Sequence, residues 1–131
     1  MKHNLIQIKQ VVLLALLVLG SFANAQETGV FSRTYSKMEI FNADRNCYDK
    51  PQRQRTTVIL DYNKNVISFT DTIHNTQNVY DIKKINNFNK NIHFNCYDNF
   101  NKMACRIEIY KWNEELYVEV TYNSKNKFRC K

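Results

Sequence analysis

Two histidines, His74 and His93, are the side chains of this sequence best suited to acid–base work, and beyond residue 25 there are no others. A general base, a general acid and a cation to hold phosphate make a ribonuclease-like hydrolase. Lys83, Lys84 or Arg106 would supply the cation. No fixed spacing joins the histidines. The strand pattern puts His93 on an outward face opposite Glu108 and leaves His74 in a connector. The hydrolase is therefore carried as the alternative reading, not the main one.

Other chemistry is less well supplied. Ser32, Ser36, Ser68 and Ser124 lie outside any G-x-S-x-G turn, and no glycine-rich phosphate loop of the Walker or Rossmann kind occurs. Glu114 and Glu115 are adjacent and diverge on a turn, whereas a glycosidase needs two carboxyls across a cleft. Asp61, Asn63 and Asn65 begin like a calcium loop, but Val66 stands where glycine is required and Thr72 where glutamate is required. Cys47, Cys96, Cys105 and Cys130 show no C-x-x-C spacing, which disfavours zinc. No metal or cofactor is expected.

Binding groups are better represented. Tyr110, Trp112 and Tyr117 fall on the outward parity of neighbouring strands, where aromatic rings can stack on sugars or bases. The competing reading covers them with a second sheet or the N-terminal segment. Residues 42–55 read as a long polar loop with Arg45, Lys50, Arg53 and Arg55, partly neutralised by Asp44 and Asp49. Arg53 and Arg55 with the three aromatics form the candidate binding surface. Its expected partner is an anionic extracellular polymer or a protein. An inhibitor presenting residues 42–55 or 97–104 fits the same features, without a reactive-site signature.

These groups need elements to hold them, and the clearest lie between Ile92 and Tyr122. I-H-F-N-C and C-R-I-E-I alternate apolar and polar at the period of a half-buried strand. Setting Cys96 opposite Cys105 also sets Phe94 opposite Ile107 and Ile92 opposite Ile109; a slip of one residue would bring charge against Phe94. Leu116, Val118, Val120 and Tyr122 add a third strand, with Val118 opposite Ile109. A second hairpin turns at Asn63-Lys64, with Leu60 facing Ile67 and Val58 facing Phe69. Val30–Phe41 carries apolar residues on both parities and reads as a doubly buried or twisted strand, with a short helix as the other option. Residues 71–78 read as a connector, 79–82 as a short strand, and 128–130 as a last strand. The expected fold is all-β: about seven antiparallel strands in a meander, closed as a small barrel or a two-sheet sandwich.

The chain has 131 residues, enough for one domain beside its N-terminal stretch. Lys2 and Lys9 precede the apolar run Val11–Leu19, and Ala23-Asn24-Ala25 follows. That is the pattern of a cleaved signal peptide at residues 1–25, with a domain at 26–131. The apolar run is short for a membrane anchor, and residues 26–131 contain no span of membrane length. Loss of the leader removes two lysines and no acid, lowering the formal charge from +7 to +5. That surplus favours anionic partners and also serves solubility. The expected location is secreted or periplasmic. There an even cysteine count suggests two disulfides, Cys96–Cys105 from the strand register and Cys47–Cys130 by remainder. The main expectation is an exported, disulfide-stabilised β domain that binds rather than catalyses.

Overall fold

Period-two alternation produces nine strands and, among the described residues, no helix. The computed structural model describes residues 29–88 and 91–131; the expected leader lies outside them. The strands are β1 (Val30–Asn42), β2 (Cys47–Tyr48), β3 (Gln52–Asp61), β4 (Val66–Asp71), β5 (Thr76–Phe88), β6 (Asn91–Asp98), β7 (Met103–Trp112), β8 (Glu115–Thr121) and β9 (Lys127–Cys130). Apart from the short arm β2, each strand pairs antiparallel with the next, and β9 returns to β1 through Met38↔Cys130, Glu39↔Arg129 and Ile40↔Phe128. Eight strands thus close an up-and-down barrel. The arm β2 folds back on the end of β1 through Phe41↔Tyr48. The count exceeds the expected seven, and the closed form is the barrel, which leaves fewer unpaired backbone groups than two open sheets would.

The registers read from the alternation are those found: Cys96↔Cys105, Phe94↔Ile107 and Ile92↔Ile109, then Ile109↔Val118, and Leu60↔Ile67 with Val58↔Phe69. Three stretches differ. β1 carries a bulge between Tyr35 and Lys37. Phe31 and Tyr35 point inward before it and Met38 after it, which is why both parities are apolar. The connector at 71–78 shrinks to a turn, and the short strand at 79–82 extends to 13 residues, with its own bulge between Ile82 and Lys84. The loop at 42–55 is cut short from both sides, by β2 and by β3 beginning at Gln52.

Inside the barrel lie Phe94, Ile92, Ile107, Val118 and Val120, each with no measurable exposure. The outward rows carry Thr57, Asn95, Arg106, Glu108 and Glu119. That polarity is the reverse of a lipid-facing barrel. No described helix is long and apolar enough to cross a membrane.

The disulfides are corrected: all four cysteines are free thiols. Cys96 and Cys105 do face each other in the ladder, but the Cys96 thiol turns back along its own strand to the Phe94 carbonyl, 3.7 Å away. Cys130 sits in the core while Cys47 stands exposed on the β2 arm, so the second pair points to different sides of the barrel wall. The covalent staple is replaced by the closed hydrogen-bond ladder.

Candidate functional site: the upper mouth of the barrel

The β4–β5, β6–β7 and β8–β9 turns gather at one end, here the upper end, together with the β1–β3 connection. There the inward rows change from apolar to polar. Ile92, Phe94 and Cys96 are followed on the same row of β6 by Asp98, which has no exposure at all. Tyr80 on β5 lies opposite Asp98, and Asn78 precedes Tyr80 on its row. Thr56 on β3 and Tyr122, just beyond β8, complete the polar ring. Phe69, Phe128, Met38 and Met103 supply apolar wall, and Phe100 stands 79% exposed on the rim. Together they enclose a cavity of about 560 Å³.

One hydrogen-bond chain runs through the ring, and its direction is set by its end. Asp98 accepts from Tyr122 Oη at 2.6 Å and from Asn101 Nδ2 at 2.7 Å, and from the Phe100 and Asn101 backbone N–H groups. Burial by itself would raise its carboxyl, but these donors outweigh it and hold Asp98 below the usual carboxylate range. An ionised carboxylate only accepts. The Tyr122 proton is therefore committed to Asp98, and across the 3.1 Å contact Tyr80 must donate to Tyr122. Tyr80 then accepts from Asn78 Nδ2 at 2.9 Å. Flipping Asn78 would set its carbonyl against a hydroxyl whose proton is already used. Asp98 thus dictates, through two hydroxyls, that Asn78 keeps Oδ1 free. Burial first, then the Asp98 contact, pushes the Tyr122 phenol up to about 12; the Tyr80 phenol is displaced further in the same direction, again chiefly by burial. Both stay protonated donors across ordinary pH.

Two residues lining this mouth each bury a polar atom without a partner, Asn78 its Oδ1 and Thr56 its Oγ1. A buried orphan of this kind costs about 1–3 kcal/mol unless something satisfies it. Asp71, also on the mouth, is already engaged. Its Oδ1 caps the Ile73 and His74 N–H groups, and its Oδ2 lies 2.8 Å from His74 Nδ1. Those bonds, that of the His74 side chain first, hold its carboxyl below the usual range.

The residues singled out from sequence are dispersed. His74 sits in the upper β4–β5 turn. His93 pairs with Asn86 and lies 3.5 Å from Glu108. Thr76 and Asn86 are separated by roughly 30 Å of extended β5, so the two histidines share no cleft and do not form an acid–base pair. Tyr110 and Tyr117 stack at 5.4 Å on the outer wall, but the β2 arm covers them. Tyr48 from that arm donates to Glu119, the Arg129 guanidinium lies 3.9 Å from the Tyr48 ring centroid, and Arg129 Nε is 3.1 Å from Glu39. This satisfied outer layer leaves Tyr117 only 4% exposed, covered by the β2 arm and not by a second sheet or the N-terminal segment, while Trp112 is 63% exposed. Arg53 and Arg55 line a separate groove on the barrel side.

The mouth itself was missed by the sequence reading. One signal was present: Asp98 continues the apolar row Ile92-Phe94-Cys96, and a carboxylate on an inward row requires partners. Among the described residues no cluster of three or more metal-ligating side chains occurs. The fold and site together define a class: a small closed meander barrel with a part-polar mouth at one end. A scan against protein-family models, a search of curated proteins and a search of solved structures each return no match.

Proposed function

We propose that this protein is a non-catalytic binding barrel. It takes one small, uncharged, partly apolar molecule bearing a hydroxyl or N–H donor into the upper mouth. The observation that carries this is that two residues lining a cavity of about 560 Å³, Asn78 and Thr56, each hold a buried polar atom without a partner, Oδ1 and Oγ1, which a small side-chain shift would present to a guest. The polarity imposed by Asp98 makes Asn78 an acceptor, so the ligand donates. Thr56 can accept or donate. The two carboxylates at the mouth, Asp98 and Asp71, disfavour an anionic ligand. Eight-stranded barrels have room for one small guest, and pockets that are mostly apolar with few polar groups suit such guests. The leader pattern at residues 1–25 supports action outside the cytoplasm, and finding Gln26 at the N-terminus of the exported protein is the test of that part.

The ligand is tested with matched probes: fragment-sized phenols and their methyl ethers, titrated against the labelled protein by NMR. Phenols are expected to shift the Asn78 and Thr56 signals and to bind at least about tenfold more tightly than the ethers, one hydrogen bond being worth about that factor. Asn78→Ala with Thr56→Val is expected to abolish the difference. Equal affinity for phenols and ethers, or shifts confined to the outer wall, would overturn the reading.

A further inference from the structure

A second concavity opens on the side of the barrel, sharing no lining residue with the mouth, and its chemistry is opposite. The β1–β9 ladder covers only Met38–Ile40, with Lys37 and Lys131 exchanging backbone hydrogen bonds below it. From Arg33 to Ser36, β1 has β3 on one side and, among the described residues, no paired strand on the other. The bulge between Tyr35 and Lys37 falls at this gap and brings residues from both faces of β1 to one groove of about 670 Å³. The side chains of Arg33, Lys37, Arg53, Arg55 and Lys131 line it, against one side-chain carboxylate, that of Glu115. The groove's formal charge of +4 compares with +5 for the whole of residues 26–131, so the protein's surplus is concentrated here rather than spread for solubility.

Three details mark this as more than a solvated face. Arg33 has the inward parity of β1, pairing with the buried Val58 between the core residues Phe31 and Tyr35, yet it is itself exposed, because the wall is open beside it. A cation there interrupts the apolar inward row of β1, and such local violations concentrate at functional positions. Its guanidinium is held over the Tyr35 ring at 5.5 Å. Finally, among the described residues only Lys131 of the five has a carboxylate within ion-pair reach, Glu115 at 4.0 Å. Four unpaired like charges around one hollow repel until an anion enters.

We infer that this groove binds an acidic polysaccharide through its carboxylate or sulfate groups. Arginine forks match planar or tetrahedral oxyanions by paired hydrogen bonds. A single-stranded nucleic acid would need open aromatic faces for its bases. The one aromatic lining the groove, Tyr35, is 3% exposed and lies beneath Arg33, so it offers no such face. The site is independent of the mouth, whose carboxylates would repel the same ligand.

The test is a fluorescence-anisotropy titration of the full chain at 50 and 150 mM NaCl. The probes are labelled polygalacturonate for carboxylate, heparin for sulfate, and a thymidine 20-mer. Saturable binding of at least one polysaccharide is expected, weakening with salt. The triple variant Arg33→Gln, Arg53→Gln, Arg55→Gln is expected to weaken it about a hundredfold, as the loss of three charge-assisted contacts implies. A control with equal charge loss elsewhere, Lys64→Gln, Lys83→Gln, Lys125→Gln, is expected to change it less than about threefold, since remote exposed charges are screened. Asn78→Ala is expected to leave it unchanged, which separates this groove from the mouth. Should the groove triple fail circular-dichroism checks of folding, the single variants Arg33→Gln and Arg55→Gln carry the test, each expected to cost about fivefold. Absence of saturable binding to both polysaccharides, equal weakening by the two triples, or oligonucleotide binding as tight as that of the polysaccharides would overturn the inference.

Discussion

Tyr122→Phe removes one oxygen from the middle of the mouth network. Asp98, which is fully buried, loses its 2.6 Å donor, and the Tyr80 hydroxyl loses the acceptor 3.1 Å away. A hydrogen bond to a charged group contributes about 1.5–3 kcal/mol, and a buried donor left without a partner costs about 1–3 kcal/mol. Water reaching the mouth screens the first and relieves part of the second, so the lower halves of both ranges apply, for a total of about 3 kcal/mol. With a urea slope near 1.5 kcal/mol/M for a chain of this size, the unfolding midpoint is expected to fall by about 2 M. The pH dependence is the sharper signature. The Asp98 carboxyl is depressed in the folded protein. Its stabilisation is therefore fully present above the unfolded-state value of about 3.9 and is lost as pH falls through the lower, folded value. The variant is expected to lie about 3 kcal/mol below the parent at pH 7, with the gap narrowing below about pH 4 toward the ~1 kcal/mol of a neutral hydrogen bond. Urea unfolding followed by far-ultraviolet circular dichroism at pH 7, 5 and 3 measures it. A cost under about 1 kcal/mol at pH 7, or the same cost at every pH, would refute the directional chain and with it the assignment of Asn78 as an acceptor.

Three further outcomes are expected. A thiol reagent is expected to modify Cys47 rapidly in the native protein and Cys96, Cys105 and Cys130 only on unfolding. Burial pushes the Cys105 and Cys130 thiols up to about 12 and raises that of Cys96 as well. Fewer than four reactive thiols in denaturant without reductant would mean that a bridge exists. Gly29→Ala is expected to destabilise by about 2 kcal/mol, because Gly29 has φ 73° and an added Cβ would stand 2.3 Å from Asn63 Nδ2. In an Asn63→Ala background the cost is expected to fall to about 1 kcal/mol, the backbone part alone; an unchanged cost in thermal denaturation would show that the contact is not the cause. Arg129→Met is expected to cost about 3 kcal/mol by leaving Glu39, 7% exposed, as a buried unpaired charge. Adding Glu39→Gln is expected to restore part of that loss in the same urea assay, and no recovery would refute the pairing.

Residues 92–122 show why much of the fold was legible. Their alternation makes any slip put charge in the interior, so the register follows from the order of residues alone. The turns were partly legible too. With glycine scarce, asparagine was the residue to expect in left-handed turns, and Asn65 and Asn113 take that conformation, but so do Asn46, Asn75, Lys102 and Glu114, which the pattern did not single out. The sulfurs were not legible: facing positions in a ladder set which residues are neighbours, not which way their side-chain torsions turn. Nor was the covering of Tyr110 and Tyr117, which depends on a two-residue arm, Cys47–Tyr48, arriving from more than sixty positions earlier in the chain.

Alternation is a local property, written between residues two apart, and it determined that this chain makes a meander with one apolar face. Closure is not local. It joins Met38 to Cys130, places Thr56, Asn78 and Tyr122 around one void, and leaves Arg33 at a gap in the wall. Only when the sheet meets itself do polar residues of β3, β4 and β5 share a space with Tyr122, and that geometry belongs to the tertiary structure.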